Sequence, residues 1–206
     1  MFERFKRKSG QLEDDVTDAD LHRAALAGSA DAMAAIYRRH GGLVYRFTLR
    51  MSRDTAVAEE ITQEVFLALL SNRARFDAER GALSTWLCGI ARNQLWKHLD
   101  RSGNREAIAD PLDEDGTPEL ESLDDGPVES LLRQEAVALV RAGLDELPAA
   151  LREVVILCAL EEMSYEQAAQ VLGVPVGTVR SRLHRAKARL ADLLRVEMAS
   201  TERKRR

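Results

Sequence analysis

The stretch Ser164-Tyr-Glu-Gln-Ala-Ala-Gln-Val-Leu-Gly173-Val-Pro-Val-Gly177-Thr-Val-Arg-Ser-Arg-Leu-His-Arg-Ala-Lys187 decides how this chain is read. Ser164 followed three residues later by Gln167 makes a capping box, in which each side chain satisfies a backbone N–H that a helix start leaves unpaired. A short helix therefore opens here and runs through Leu172. Gly173 supplies the left-handed turn that ends it. A second helix follows from Thr178 to about Leu194, turning Val179, Leu183, Ala186, Leu190 and Leu193 to one side at helical spacing. Its far side carries Thr178, Arg182, Arg185 and Arg189, with Arg180, Ser181 and Lys187 alongside. Residues 176–195 hold six Lys or Arg and one acid, Asp192. Ala169, Gly173 and Val179, four and six residues apart, are spaced to pack the first helix on the second. This is a helix-turn-helix whose basic second helix fits a DNA major groove. A solvated basic face on a structural hairpin is the competing reading, and the agreement of cap, turn and charge segregation weighs against it. Arg and Lys that neutralise phosphates release counterions, so such binding weakens steeply with salt. Thr178, Ser181 and Arg182, near the helix start, are placed for base edges.

Outward from this motif, the average charge of the chain runs against it. The 206 residues carry a net charge of -4, which as an evenly mixed average would not suit a phosphate partner. The charge is not evenly mixed. Residues 106–129 hold ten acids and no Lys or Arg, and removing those ten leaves +6 on the remainder. The same stretch contains Pro111, Gly116, Pro118, Gly126 and Pro127 without a sustained apolar period, as in a flexible, self-repelling linker. An all-α chain of two small helical domains results: an N-terminal tail (1–17), a helical domain (18–101), the acidic linker (102–129), the helix-turn-helix domain (130–196) and a basic tail (197–206). Helices over 128–143 and 148–160 precede the capping box.

The first domain reads as four helices. Thr17 and Asp20 cap a short one that ends at Gly28. The next, from Ser29, places Met33, Ile36, Tyr37, Val44, Phe47 and Met51 in an apolar run, and Gly41-Gly42 predicts a kink in it. The third, over 55–70, buries Val57, Ile61, Val65, Phe66 and Leu69 and turns Glu59, Glu60, Gln63 and Glu64 outward. After a loop over 72–82, the fourth covers 84–100, with Leu83, Trp86, Leu87, Ile90 and Ala91 on its apolar side. Thr85, Gly89, Arg92, Asn93 and Trp96 fall on the opposite stripe, with Lys97 beside it. Trp96 there has two readings: it covers a neighbouring helix, or it is a platform for unstacked bases whose phosphates Arg and Lys hold.

Other functions find no support. The longest apolar run, residues 154–160, is far short of a membrane span, and no apolar core follows the basic N-terminal residues as in a secretory signal. Cys88 and Cys158 are isolated, and the four histidines lack metal-binding spacing. The expectation is a cytoplasmic protein that is not an enzyme, with no catalytic residue, no metal site and no cofactor.

The ordered motifs Ala58-Glu-Glu-Ile-Thr-Gln-Glu-Val-Phe-Leu67, Thr85-Trp-Leu-Cys-Gly-Ile-Ala-Arg-Asn93, Leu147-Pro148, Ser164 to Gly173 and Gly177 to Lys187 resemble those of the extracytoplasmic-function sigma factors of bacterial RNA polymerase. The resemblance covers 18–101 and 130–195, and it assigns roles. Glu59, Glu60, Gln63 and Glu64 would bind the clamp coiled coil of the largest polymerase subunit. Arg92, Asn93, Trp96 and Lys97, with Phe76 and Arg80 from the loop, would capture the non-template strand of the promoter -10 element, which favours the stacking reading of Trp96. Thr178, Arg180, Ser181, Arg182, Arg185, Lys187 and Arg189 would read the -35 element as duplex, while the same domain touches the polymerase flap. The family is commonly held inactive by an anti-sigma factor. The acidic linker would thread the polymerase interior; fully extended, the 24 residues 106–129 reach about 86 Å, against about 70 Å for two turns of promoter DNA. Two departures from the family pattern are Cys88, where an aromatic is common and a structural thiol is expected here, and Gly41-Gly42 inside a helix.

Two other function classes fit less well. A free-standing helix-turn-helix regulator normally dimerises on a palindrome and has no use for the Trp96 stripe. An enzyme acting on nucleic acid would need a carboxylate and metal cluster, and the acids lie in the linker or on solvated helix faces.

Overall fold

The computed structural model describes residues 16–71, 76–101, 140 and 142–204. The acidic stretch 102–129 and the basic N-terminal residues lie outside the described residues. All regular structure among the described residues is helical, and the chain divides into two compact units.

In the first unit, α1 (Asp18–Leu26), α2 (Ala30–Ser52), α3 (Thr55–Leu70) and α4 (Leu83–Arg101) follow one another in the order expected. The starts of α1, α2 and α3 are each set by a short polar side chain that accepts from the first turn. Thr17 accepts from Asp20 N at 3.2 Å, Ser29 from Ala32 N at 3.2 Å, and Asp54 from Ala56 N at 2.8 Å. Gly28, with φ of 96°, ends α1: Ser29 N reaches back to Ala24 O at 3.0 Å, a closure that needs a left-handed residue. Helix α2 is central and packs on the other three. Ile36, Val44 and Phe47 of α2, Leu69 of α3 and Leu87 and Leu95 of α4 have no exposed surface, and each such side chain contributes roughly 1.5 to 3 kcal/mol.

Three expectations are corrected here. Helix α2 runs without interruption across Gly41-Gly42. Tyr37 is not buried but 51% exposed, its ring lying over Gly41 and tilted against Phe66 at 4.8 Å. In α4 the buried face is Leu83, Thr85, Leu87, Cys88, Ala91 and Leu95, so Trp86 and Ile90 are only half-buried and Thr85 leaves the outer stripe for the core. The outer stripe begins at Gly89. Buried Thr48 and Thr62 donate to the carbonyls of Val44 and Ala58, whereas Thr85 Oγ1 has no hydrogen-bond partner.

In the second unit, residues 140 and 142–146 are helical, and Leu147-Pro148 turns the chain into α5 (Ala149–Val155); most of the helix expected over 128–143 lies outside the described residues. Arg152 fixes that turn by donating to the carbonyls of Leu144, Asp145 and Leu147 at 2.8–2.9 Å. Helix α5 widens into a π-helix over Ile156–Leu160, which sequence periodicity does not reveal. Then come α6 (Tyr165–Leu172) and α7 (Val176–Lys204). The last helix starts two residues before the expected Thr178, because Pro175 O accepts from Thr178 N and Val179 N. It also runs to Lys204, past the expected end near 194, so much of the presumed basic tail is helix.

Candidate nucleic-acid interface

The α6–α7 corner is built by local chemistry. Ser164 N donates to Gln167 Oε1 at 2.9 Å and Gln167 N donates to Ser164 Oγ at 3.2 Å, the reciprocal pair that the sequence predicts. Gly173 has φ of 67°, and Val174 N reaches Ala169 O at 3.2 Å to close α6. Ala168, Ala169, Val179, Leu183 and Ala186 are buried. That burial turns the predicted polar face of α7 outward: Arg180, Arg185, Lys187 and Arg189 are exposed, and Thr178, Ser181 and Arg182 are half-buried. Ser181 Oγ donates to Thr178 O at 3.1 Å, which leaves its lone pairs to accept from a base amino group. The Arg180 guanidinium lies 5.7 Å over the Tyr165 ring. Beside it, the Glu166 carboxyl is held below the usual range by its own backbone N–H and the Ser164 hydroxyl, with the Arg180 charge adding to both.

In the first unit, Asn93 and Lys97 are exposed, Arg92 and Trp96 half-buried. Arg92 stands 5.8 Å over the Trp96 ring, so cation and aromatic platform form one surface. Phe76 does not join that stripe. It is half-buried in a file of rings, edge-on to His22 at 5.5 Å and to Trp86 at 5.9 Å. An open cleft of about 510 Å³ adjoins it, walled by Ala19, His22, Arg23, Leu26, Phe76, Asp77 and Ala78. Burial pushes the His22 imidazole below its usual pKa, against the opposing effect of its hydrogen bond with the Leu69 backbone. Arg80 is exposed on the turn that follows, where Asp77 orders the backbone: its carboxylate accepts from Glu79 N at 3.0 Å and its carbonyl from Arg80 N at 3.1 Å. His22, Asp77 and Trp86 are missing from the sequence-derived set. Asp77 followed by Gly81 was a readable turn signal, but the pairing of His22 with Phe76 spans 54 positions and leaves no local pattern.

Glu59, Glu60, Gln63 and Glu64 are all exposed on α3. Leu67 and Leu70 continue that surface, 64% and 42% exposed, and they too were not anticipated. Apolar side chains set among acids form a surface suited to a protein and repellent to DNA. Among the described residues no His, Cys, Asp and Glu group could hold a metal ion, and no helix is long and apolar enough to cross a membrane. Cys88 is fully buried, and burial pushes the half-buried Cys158 thiol up.

Comparison with known proteins places family models on both units: sigma-70 region 2 matches residues 36–105, and sigma-70 region 4 matches residues 138–190. The ECF RNA polymerase sigma factor SigE of Mycolicibacterium smegmatis is 34% identical over 166 residues, which are 81% of this chain and 63% of that one. The chain thus spans under two thirds of the length of that relative. It spans 92% of the ECF RNA polymerase sigma factor SigC of Mycobacterium tuberculosis, 34% identical over 87% of this chain. Among solved structures, CnrH in complex with the cytosolic domain of CnrY is similar with a TM-score of 0.63 and 26% identity, covering 87% of this chain and 97% of that one.

Proposed function

Because the chain belongs to the extracytoplasmic-function sigma factors of the sigma-70 family, we propose that it is a dissociable, non-enzymatic subunit that directs cytoplasmic core RNA polymerase to its promoters. The observation that carries this reading is the separation of three chemically distinct surfaces on one chain. The acidic α3 face with Leu67 suits a protein partner, and Glu59, Glu60, Gln63 and Glu64 are assigned to the polymerase clamp. The Arg92, Asn93, Trp96 and Lys97 surface suits single-stranded non-template DNA of the -10 element, by ring stacking and phosphate neutralisation. The outward face of α7 suits the -35 duplex, read by Thr178, Ser181 and Arg182 and held by Arg180, Arg185, Lys187 and Arg189.

The cleft beside Phe76 offers an unstacked base an aromatic wall next to the Arg23–Asp20 ion pair, so Phe76 belongs to -10 capture through this cleft, with Arg80 contributing from the turn that follows. Opening a duplex costs about 1.4 kcal/mol per stacked step, which stacking on Phe76 and Trp96 partly offsets. The acidic residues 106–129 suit a basic channel of the polymerase. An anti-sigma factor is the inhibitory partner of this reading, supported by the capture of CnrH by a cytosolic domain of a second protein.

Two substitutions in reconstituted holoenzyme test the division of labour. Arg182→Ala weakens upstream-element recognition by about 1 to 3 kcal/mol, as loss of a base contact does. Trp96→Ala leaves that affinity in place and reduces promoter opening, measured by reactivity of unpaired thymines. If both variants lose only duplex affinity, the assignment of the α4 surface to single-stranded DNA is wrong.

A further inference from the structure

On the basic face of α7, the charge of Arg180 is held against α6. Its guanidinium leans across to α6 and sits 5.7 Å above the Tyr165 ring, within reach of the aromatic face's negative potential. Glu166, next along the same first turn of α6, places a carboxylate close enough to feel that charge. The Tyr165 ring of α6 therefore holds one residue of α7. In a helix-turn-helix the second helix lies in the major groove and the first crosses the sugar-phosphate backbone. A guanidinium held back over the first helix stands at the rim of the groove, where phosphates run. A base-reading arginine must extend to the groove floor.

We infer that Arg180 is a phosphate clamp that carries no sequence information, and that Tyr165 is its positioning residue, holding the guanidinium over α6 before DNA arrives. The inference rests on the reading of α7 as the duplex-binding helix, and it narrows sequence discrimination to Thr178, Ser181 and Arg182. The ring face does the positioning; the Tyr165 hydroxyl is not required. Preorganisation of this kind spares the cost of ordering a long side chain on binding.

The test uses core polymerase loaded with the full chain, on a promoter recovered by the wild-type holoenzyme and on single-base variants of its upstream element. Arg180→Ala should lower affinity by a similar factor on every variant and reduce the slope of log affinity against log salt by about 1. Tyr165→Ala should lose about two- to fivefold, Tyr165→Phe should bind as wild type, and Tyr165→Ala should cost nothing further once Arg180 is alanine. Relaxed discrimination at one base pair in Arg180→Ala would make Arg180 a base reader and overturn the inference. It also fails if Tyr165→Phe loses as much as Tyr165→Ala, or if the two alanine effects add in full, as a purely structural role for Tyr165 requires. A wild-type holoenzyme indifferent to the upstream duplex would overturn the reading beneath the inference, and the inference with it.

Discussion

At His22, burial and charge oppose each other. The ring is 8% exposed beside Phe76, and desolvation lowers its pKa in the folded chain below the ordinary value of 6.5. The unfolded chain then binds a proton first as pH falls, so the stability that neutral His22 contributes is present above about 6.5 and declines through the window down to the lower folded value. Thermal midpoints between pH 7.5 and 5 should fall less steeply in His22→Gln than in wild type; equal slopes would show that His22 is not the group responsible. His22 was missed in the sequence because nothing around it marks a buried imidazole. Thr85 and Tyr37 were misplaced for the same reason. A helical stripe predicts a face, and packing against other helices decides which edge of that face is covered. Phe76 was singled out only through the family resemblance, and its ring partners His22 and Trp86 come from helices on either side of it in sequence.

Helix ends were more legible than helix faces, because caps are short-range chemistry. Ser164 with Gln167, Thr17 with Asp20, Gly28 and Gly173 all act where the sequence predicts, each through a bond to a residue within five positions. The element with most at stake is the α6–α7 corner. Gly173 holds φ of 67°, so Gly173→Ala should cost about 1 to 2 kcal/mol. No heavy atom lies within 4 Å of a Cβ placed there, which leaves backbone strain as the whole cost. The lowered midpoint in urea should come with weaker upstream-element binding, since the turn sets the angle at which α7 is presented. An unchanged midpoint would mean that the corner does not depend on the left-handed turn. The π-helix over Ile156–Leu160 and the extension of α7 to Lys204 were illegible. The first requires one extra residue in a turn that apolar periodicity does not register, and the second lacks the apolar repeat from which the helix was traced.

Across the whole chain, a formal charge of -4 is an average over segments of opposite sign. The average cancels an acidic stretch and an acidic α3 face against the basic face of α7. The two-unit, all-helical plan was readable because each unit carries its own capped helices, and the family followed from the order of motifs more than from any single residue. The acidic α3 face with Leu67 and the Arg92–Trp96 surface also separate this account from that of a free-standing regulator, which needs neither. The most direct test is to add the purified chain to core polymerase on a pool of genomic promoters and map the transcripts. The account predicts a stable complex, initiation from discrete sites that share an upstream duplex element, and unpaired bases downstream of it. Binding to duplex DNA with no association with core polymerase and no specific initiation would contradict it.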